Sequence, residues 1–185
     1  GGLHGDIPLE SGAGKLMADL VVDRGISAVI DVSQFESDNQ KARFMTEFGN
    51  RFFFRKKASP SAVHLFIEEA QEFVPQNPQR DEAIMLHAWT RIQKLGRNFG
   101  IGSSLISQRP QETNKKVLNL TEVLFVFQLT GTHERESVAK WIEDKGLDED
   151  IAAELPKLAV GRPHVWSPAW LRVSTVISIG QKHTY

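Results

Sequence analysis

The chain has 185 residues, 41% of them apolar and 24% charged, the composition of a folded globular protein and not of a disordered or fibrous one. Its 22 Lys and Arg against 23 Asp and Glu leave a net charge of −1, which excludes coating nucleic acid by bulk charge and leaves room for a local basic channel. It contains no cysteine, which excludes disulfides, thiolate chemistry and Cys-ligated zinc and fits a reducing, cytoplasmic setting.

The chain starts Gly-Gly-Leu-His-Gly, with neither the positive region nor the apolar run of a signal peptide, and without an initiator Met, as a processed or cropped chain would. No apolar run approaches the roughly 18 residues of a membrane span. Residues 10–16, ESGAGKL, predict a turn into a helix containing Met17, Leu20 and Val21. The β-branched run Ile26–Val32 predicts a strand. Ser37-Asp38-Asn39-Gln40 has capping-box spacing, and Phe44, Phe48 and Phe52 then recur along one helical face. Val63–Ile67 predicts a second strand, Pro75 and Pro78 a loop, and Ile84, Ala88, Ile92, Leu95 and Phe99 the apolar stripe of another helix. Ile101–Ser107 and Val123–Leu129 predict two more strands, and residues 133–144 a short helix with Val138, Ala139 and Ile142 inward. After Pro156 the short runs Val165-Trp166, Leu171-Arg172-Val173 and Val176-Ile177, broken by Pro163 and Pro168, read as an edge hairpin or an arm that docks on a neighbour.

The order β-α-β-α-β-α-β predicts an α/β fold with a mainly parallel sheet, and the continuously apolar strands predict helices on both its faces. With no internal repeat, the simplest organisation is a single domain, with residues 1–160 as the core and 161–185 as its C-terminal β arm.

The most informative segment is residues 63–73, VHLFIEEAQEF, where an apolar strand runs straight into Glu68 and Glu69. Ligands in open α/β sheets bind beyond the carboxyl ends of the strands, so these acids fall in a crevice. This is the layout of a Walker B strand in P-loop nucleoside triphosphatases, where the first acid holds Mg²⁺ through water and the next orients the attacking water. The plainer alternative is two acids opening a helix, where the dipole favours them. Residues 96–110, GRNFGIGSSLISQRP, then pass from a helix end into a strand that terminates in Ser107-Gln108. The Gln108 amide can sense a γ-phosphate or an attacking water, or can cap backbone groups in a turn.

Together these segments resemble the HerA/FtsK-like superfamily of P-loop DNA-translocase ATPases, and the HerA branch most closely. The resemblance also takes in VLNLTEVLFVFQLTG, HGDIPLE near the start and LPKLAVGRPHVWSPAW near the end, so it covers nearly the whole chain. It implies a RecA-like core in a ring, usually a hexamer, that moves duplex DNA through a central channel at the expense of ATP with Mg²⁺. By position, Glu69 would be the catalytic acid, Glu68 the residue that supports Mg²⁺ and the nucleotide, and Gln108 the polar sensor. Arg97 would be the arginine presented across the subunit interface to the neighbour's ATP, a task that suits a permanently charged, bidentate guanidinium. Its alternative is a cation at a helix C-terminus. The partners implied are further copies of the chain, DNA, and a nuclease or other effector, with no membrane.

Two departures stand against the family pattern. Glu68 occupies a position where Asp is usual, and its extra methylene moves the carboxylate by about 1.5 Å, which a water-mediated contact tolerates. No GxxxxGK[ST] loop is present: in Glu10-Ser11-Gly12-Ala13-Gly14-Lys15-Leu16, Leu9 and Leu16 stand where the first Gly and the hydroxyl are required. The expectation is therefore the C-terminal portion of a longer ATPase, lacking the Walker A loop and inactive alone. The other hypothesis, of a different class, is a non-catalytic scaffold or assembly subunit that keeps the core without nucleotide turnover.

The six histidines, His4, His64, His87, His133, His164 and His183, form no metal-ligand spacing, and His64 reads as a satisfied core residue. No GxSxG elbow is present. Arg55-Lys56-Lys57 and Lys115-Lys116 read as DNA-backbone contacts or as solvated loops, and Trp141, Trp166 and Trp170 as packing residues.

Overall fold

The computed structural model describes residues 5–145 and 151–181, which leaves His4 and His183 outside the described residues. The chain divides into two compact units, Gly1–Gln108 with Glu112–Val117 and Arg109–Gln111 with Leu118–Tyr185.

The first unit is built on two helices, α1 (Gly14–Arg24) and α2 (Asp38–Ala58). The Ser37 hydroxyl accepts from the Gln40 amide at 3.3 Å and starts α2, as the capping-box spacing predicts. Phe44, Phe48 and Phe52 are buried along it, with Phe48 and Phe52 stacked at 5.5 Å between centroids. The ESGAGKL segment turns into α1, with Met17 buried. Gly14 is required there for packing, because a Cβ would lie 2.5 Å from the Phe44 carbonyl oxygen. Arg51 spans both carboxylate oxygens of Asp19 at 2.7 and 3.0 Å, and Arg55 bonds Asp23, so the pair of helices is also tied at its surface.

Strand β1 (Val63–Ile67) and strand β2 (Ile101–Leu105) pair in parallel from Val63↔Ile101 to Ile67↔Leu105, joined by α3 (Arg80–Leu95) and a 3₁₀ turn over Gly96–Phe99. Gly100, at φ 79°, begins β2 close against Ser61, whose carbonyl oxygen would lie 2.3 Å from a Cβ there. The same carbonyl accepts the buried Lys56 ammonium at 2.5 Å. The core lies between this sheet face, α2 and α3, with Ile67, Trp89, Ile92 and Ile101 buried in it.

The second unit contains β3 (Leu124–Val126), α5 (Thr132–Glu143), α6 (Ile151–Glu154), β4 (His164–Ser167) and β5 (Val173–Val176); α4 (Lys115–Leu118) leads into it. Its three strands form an antiparallel sheet in the order β3-β4-β5. Trp141 and Trp166 meet edge to face at 5.1 Å in its core, whereas Trp170 is exposed.

Several expectations change. Ile26–Val32 forms no ladder among the described residues: β-branched composition favours a strand but does not supply the pairing, and Val29 is 96% exposed. Strand β3 pairs antiparallel with β4, so the parallel pairing is confined to β1 and β2. One face of β1 is open: Phe66 is 73% exposed, and His64 is not a core residue but lies on that face, 2.9 Å from the Ser104 hydroxyl. The buried face of α3 is Met85, Ala88, Trp89 and Ile92, while Ile84 and Leu95 are exposed. The C-terminal runs form the hairpin β4-β5, hydrogen-bonded onto β3. Among the described residues no helix is long and apolar enough to cross a membrane.

Candidate active site

The parallel register puts the carboxyl ends of β1 and β2 at one rim, and backbone pairing carries on past both strands. The Ile106 amide donates to the Ile67 carbonyl and the Ala70 amide to the Ile106 carbonyl, each at 2.9 Å. Between these bonds the chain reverses at Glu69, a non-glycine residue in the left-handed region (φ 49°, ψ 49°), before a 3₁₀ turn over Ala70–Glu72. That conformation costs about 1 kcal/mol for an L-residue, and such outliers gather where a side chain must be aimed. The turn is held below by the Glu72 amide donating to the Glu69 carbonyl at 2.8 Å, and at its far end by the Lys41 ammonium of α2 on the Glu72 carboxylate at 2.6 Å.

The reversal aims Glu69 across the rim. The Gln108 side-chain amide donates to one oxygen of the Glu69 carboxylate at 3.0 Å, and the Gln71 side-chain amide donates to the other at 2.7 Å. The acid is thus held by neutral donors on both sides, which fixes its direction and leaves its charge uncompensated by any nearby cation in these contacts. Glu68 is exposed at the same rim and Gln108 is exposed, whereas Gln71 is buried. Behind Gln71 the Ser107 hydroxyl donates to its carbonyl oxygen at 2.5 Å, and Thr113, itself buried, donates to Ser107 at 3.4 Å. The segment carrying Thr113 is fastened by the Asn114 amide on the Val74 carbonyl at 2.8 Å and the Gln76 amide on the Glu112 carbonyl at 2.7 Å.

Glu68, Glu69 and Gln108 therefore come together at one rim. Arg97 does not join them. It is exposed in the 3₁₀ turn before β2, at the opposite end of the strand, with about 13 Å of extended chain between the two ends. Gln71, Ser107 and Thr113 are the residues that sequence reasoning missed. The one available signal was that Gln71 follows the acidic pair on a segment already expected to leave the core.

Among the described residues no group of three His, Cys, Asp or Glu could hold a metal ion. A single exposed carboxylate such as Glu68 suits Mg²⁺ bound mainly by phosphates and water, and not a cage of protein ligands. Of the basic clusters, Arg55 and Lys56 are engaged within the first unit, while Lys115 and Lys116 are exposed.

No family profile matches the chain. In sequence it is 30% identical over 105 residues to a probable DNA double-strand break repair helicase HerA of Methanocaldococcus jannaschii, a match that covers 57% of this chain and 20% of that protein. It is 26% identical over 147 residues to the DNA double-strand break repair helicase HerA of Pyrococcus furiosus, covering 75% and 25%. A probable helicase of M. jannaschii is 25% identical over 173 residues, covering 94% and 29%. The chain thus spans between 20 and 29% of the length of these curated relatives. Among solved structures, the genome-packaging NTPase B204 of Sulfolobus turreted icosahedral virus 2 in complex with ATP-γS superimposes with a TM-score of 0.63 at 15% identity, covering 86% of this chain and 69% of that one. The DNA-packaging ATPase B204 of Sulfolobus turreted icosahedral virus gives 0.60 at 16% identity over 92% and 93%. These likenesses show a shared α/β NTPase fold.

Proposed function

Because the chain belongs to the HerA/FtsK-like superfamily of P-loop ATPases, on its HerA side, we propose that it is part of a ring-forming motor that couples ATP hydrolysis to movement on DNA. Glu69 accepts a proton from, or orients, the water that attacks the γ-phosphate. Gln108 reads the γ-phosphate or that water from the neighbouring strand, and Glu68 supports Mg²⁺ through water. The metal, when bound, neutralises phosphate charge. The phosphate loop that this reading requires comes from polypeptide outside the 185 residues, since none of them forms GxxxxGK[ST].

The observation that carries the reading is the 3.0 Å bond between Glu69 and Gln108 at the carboxyl rim of adjacent parallel strands. A carboxylate and an amide that share a crevice can act on one nucleophile, and the amide can exchange the carboxylate for phosphate or water without unpairing a buried group, because it is exposed.

Arg97 serves a different nucleotide, the one bound by the neighbouring subunit. Its place at the far end of β2 supports action in trans, because its side chain cannot span the strand to its own Glu69. Further copies of the chain and DNA are accordingly its partners, and ATP with Mg²⁺ its ligands.

The test is Glu69→Gln in the protein with its phosphate loop. Hydrolysis falls by about 10²- to 10⁴-fold, the usual contribution of a positioned general base, while ATP affinity measured by equilibrium binding is retained. Unchanged turnover refutes the assignment.

A further inference from the structure

We propose that Gln71 is a positioning residue for the catalytic acid, the inner member of a directional hydrogen-bond relay from Thr113 through Ser107 and Gln71 to Glu69. The inference rests on the reading of Glu69 given above and extends it to a residue with no role in that reading. Its direction follows from donor chemistry. An ionised carboxylate only accepts, so the Gln71 amide nitrogen must face Glu69, at 2.7 Å. The Gln71 carbonyl oxygen then faces Ser107, which supplies its single hydroxyl proton at 2.5 Å and is left to accept from Thr113 at 3.4 Å.

The two amides on Glu69 are not equivalent. Gln108 is exposed in the crevice and free to exchange partners when phosphate arrives, whereas Gln71 is buried and anchored behind by two hydroxyls from the end of β2 and from the segment after it. When Gln108 turns to the nucleotide, Gln71 keeps the carboxylate aimed. It does so where the backbone offers no spare rigidity, because Glu69 sits in the left-handed region and Gln71 lies inside the one turn that follows. In this role Gln71 acts through Glu69, whose carboxylate its amide holds at 2.7 Å.

Two measurements test this separately. In the 185-residue chain, the ¹H–¹⁵N resonance of the Gln71 side-chain amide reports the relay without any nucleotide. Ser107→Ala moves it strongly and Thr113→Val moves it less, in keeping with the longer outer bond; an unmoved resonance in Ser107→Ala overturns the relay. In the protein with its phosphate loop, Gln71→Met lowers kcat about tenfold to hundredfold, the range for a lost buried hydrogen bond to a charged group, and leaves the KM for ATP unchanged. Ser107→Ala, which removes only the support, lowers kcat less and guards against a Gln71 variant that does not fold. In a Glu69→Gln background Gln71→Met has no further effect on kcat. A drop of equal size in that background, or a rise in KM with kcat intact, overturns the positioning role. Should Glu69→Gln itself leave turnover unchanged, the catalytic reading and the role of Gln71 in it both fall, while the resonance still decides the relay.

Discussion

The second glycine of the ESGAGKL segment separates two accounts of this approach to a phosphate loop. Gly14 opens α1 where that helix presses on α2, and a Cβ built there would lie 2.5 Å from the Phe44 carbonyl oxygen, 2.9 Å from the Phe48 amide nitrogen and 2.9 Å from the Glu47 Cβ. Two of these three neighbours are backbone of a neighbouring helix and cannot swing aside, so Gly14→Ala forces α1 away from α2. Overpacking of this kind costs about 1–3 kcal/mol. Alanine recovers at most about 1 kcal/mol of helix propensity, and less in a first turn, so a net loss of about 1–2 kcal/mol is expected. With a urea slope of about 2 kcal/mol/M, the midpoint falls by about 0.5–1 M. Labelling with 5-fluorotryptophan lets Trp89, which stacks on Phe48 in the first unit, be followed apart from the three tryptophans of the second. A midpoint that is unchanged or raised refutes the packing argument. Were that unchanged midpoint joined to a loss of nucleotide affinity, the segment would be a phosphate cradle after all.

Two further outcomes follow from the same unit and its assembly. The Arg51 hydrogen bonds to Asp19, against a smaller opposing effect of burial and with help from the charges of Arg51 and Arg55, hold the Asp19 carboxyl below its ordinary value of 3.8. A depressed carboxyl lends stability that is present above 3.8 and lost as pH falls through its folded-state value, so Asp19→Asn lowers the urea midpoint at neutral pH slightly, as befits a solvent-screened pair, and flattens the fall below pH 3.8; an acid limb as steep as wild type counts against the pairing. If Arg97 acts in trans, Arg97→Ala and Glu69→Gln chains, each inactive alone, regain turnover when mixed, because about one interface in four in a randomly assembled ring then joins an intact acid to an intact arginine. Mixed rings without recovered hydrolysis place Arg97 outside the reaction.

The elements whose signal is local were legible. Ser37 caps α2 through a hydroxyl three residues from its partner, and the Phe44-Phe48-Phe52 face buries because four-residue spacing stays on one side of a helix over two turns. Elements that depend on a distant partner were not. Ile26–Val32 has the composition of a strand and yet pairs with neither open edge of the β1-β2 sheet, and Val123–Leu129 carries nothing that announces an antiparallel neighbour nearly forty residues on. On α3 the stripe was misread by one position: Met85, Ala88, Trp89 and Ile92 recur at three and four residues and are buried, while Ile84 falls outside that arc and is 58% exposed.

The candidate site divides along the same line. Glu69 and Gln108 could be matched from sequence because two parallel strands end at one edge, and the register Ile67↔Leu105 brings the residues just beyond each strand together whatever the side chains are. The roles of Gln71 and Ser107 depend instead on a single backbone reversal. With Glu69 in an ordinary extended conformation the strand would run on past the rim, carrying residues 69 and 71 about 7 Å apart along it, and Gln71 would not be turned back against Ser107 beyond the end of β2. The left-handed turn folds that distance up, and no residue type at 69 announces it, since glutamate has no preference for that region. The local strain and the hydrogen bonds it makes possible are therefore one feature: the bonds from Gln71 and Gln108 to the carboxylate, with the backbone pairing of Ala70 to Ile106, hold Glu69 in a conformation it would not adopt alone, and that conformation is what lets both amides reach it.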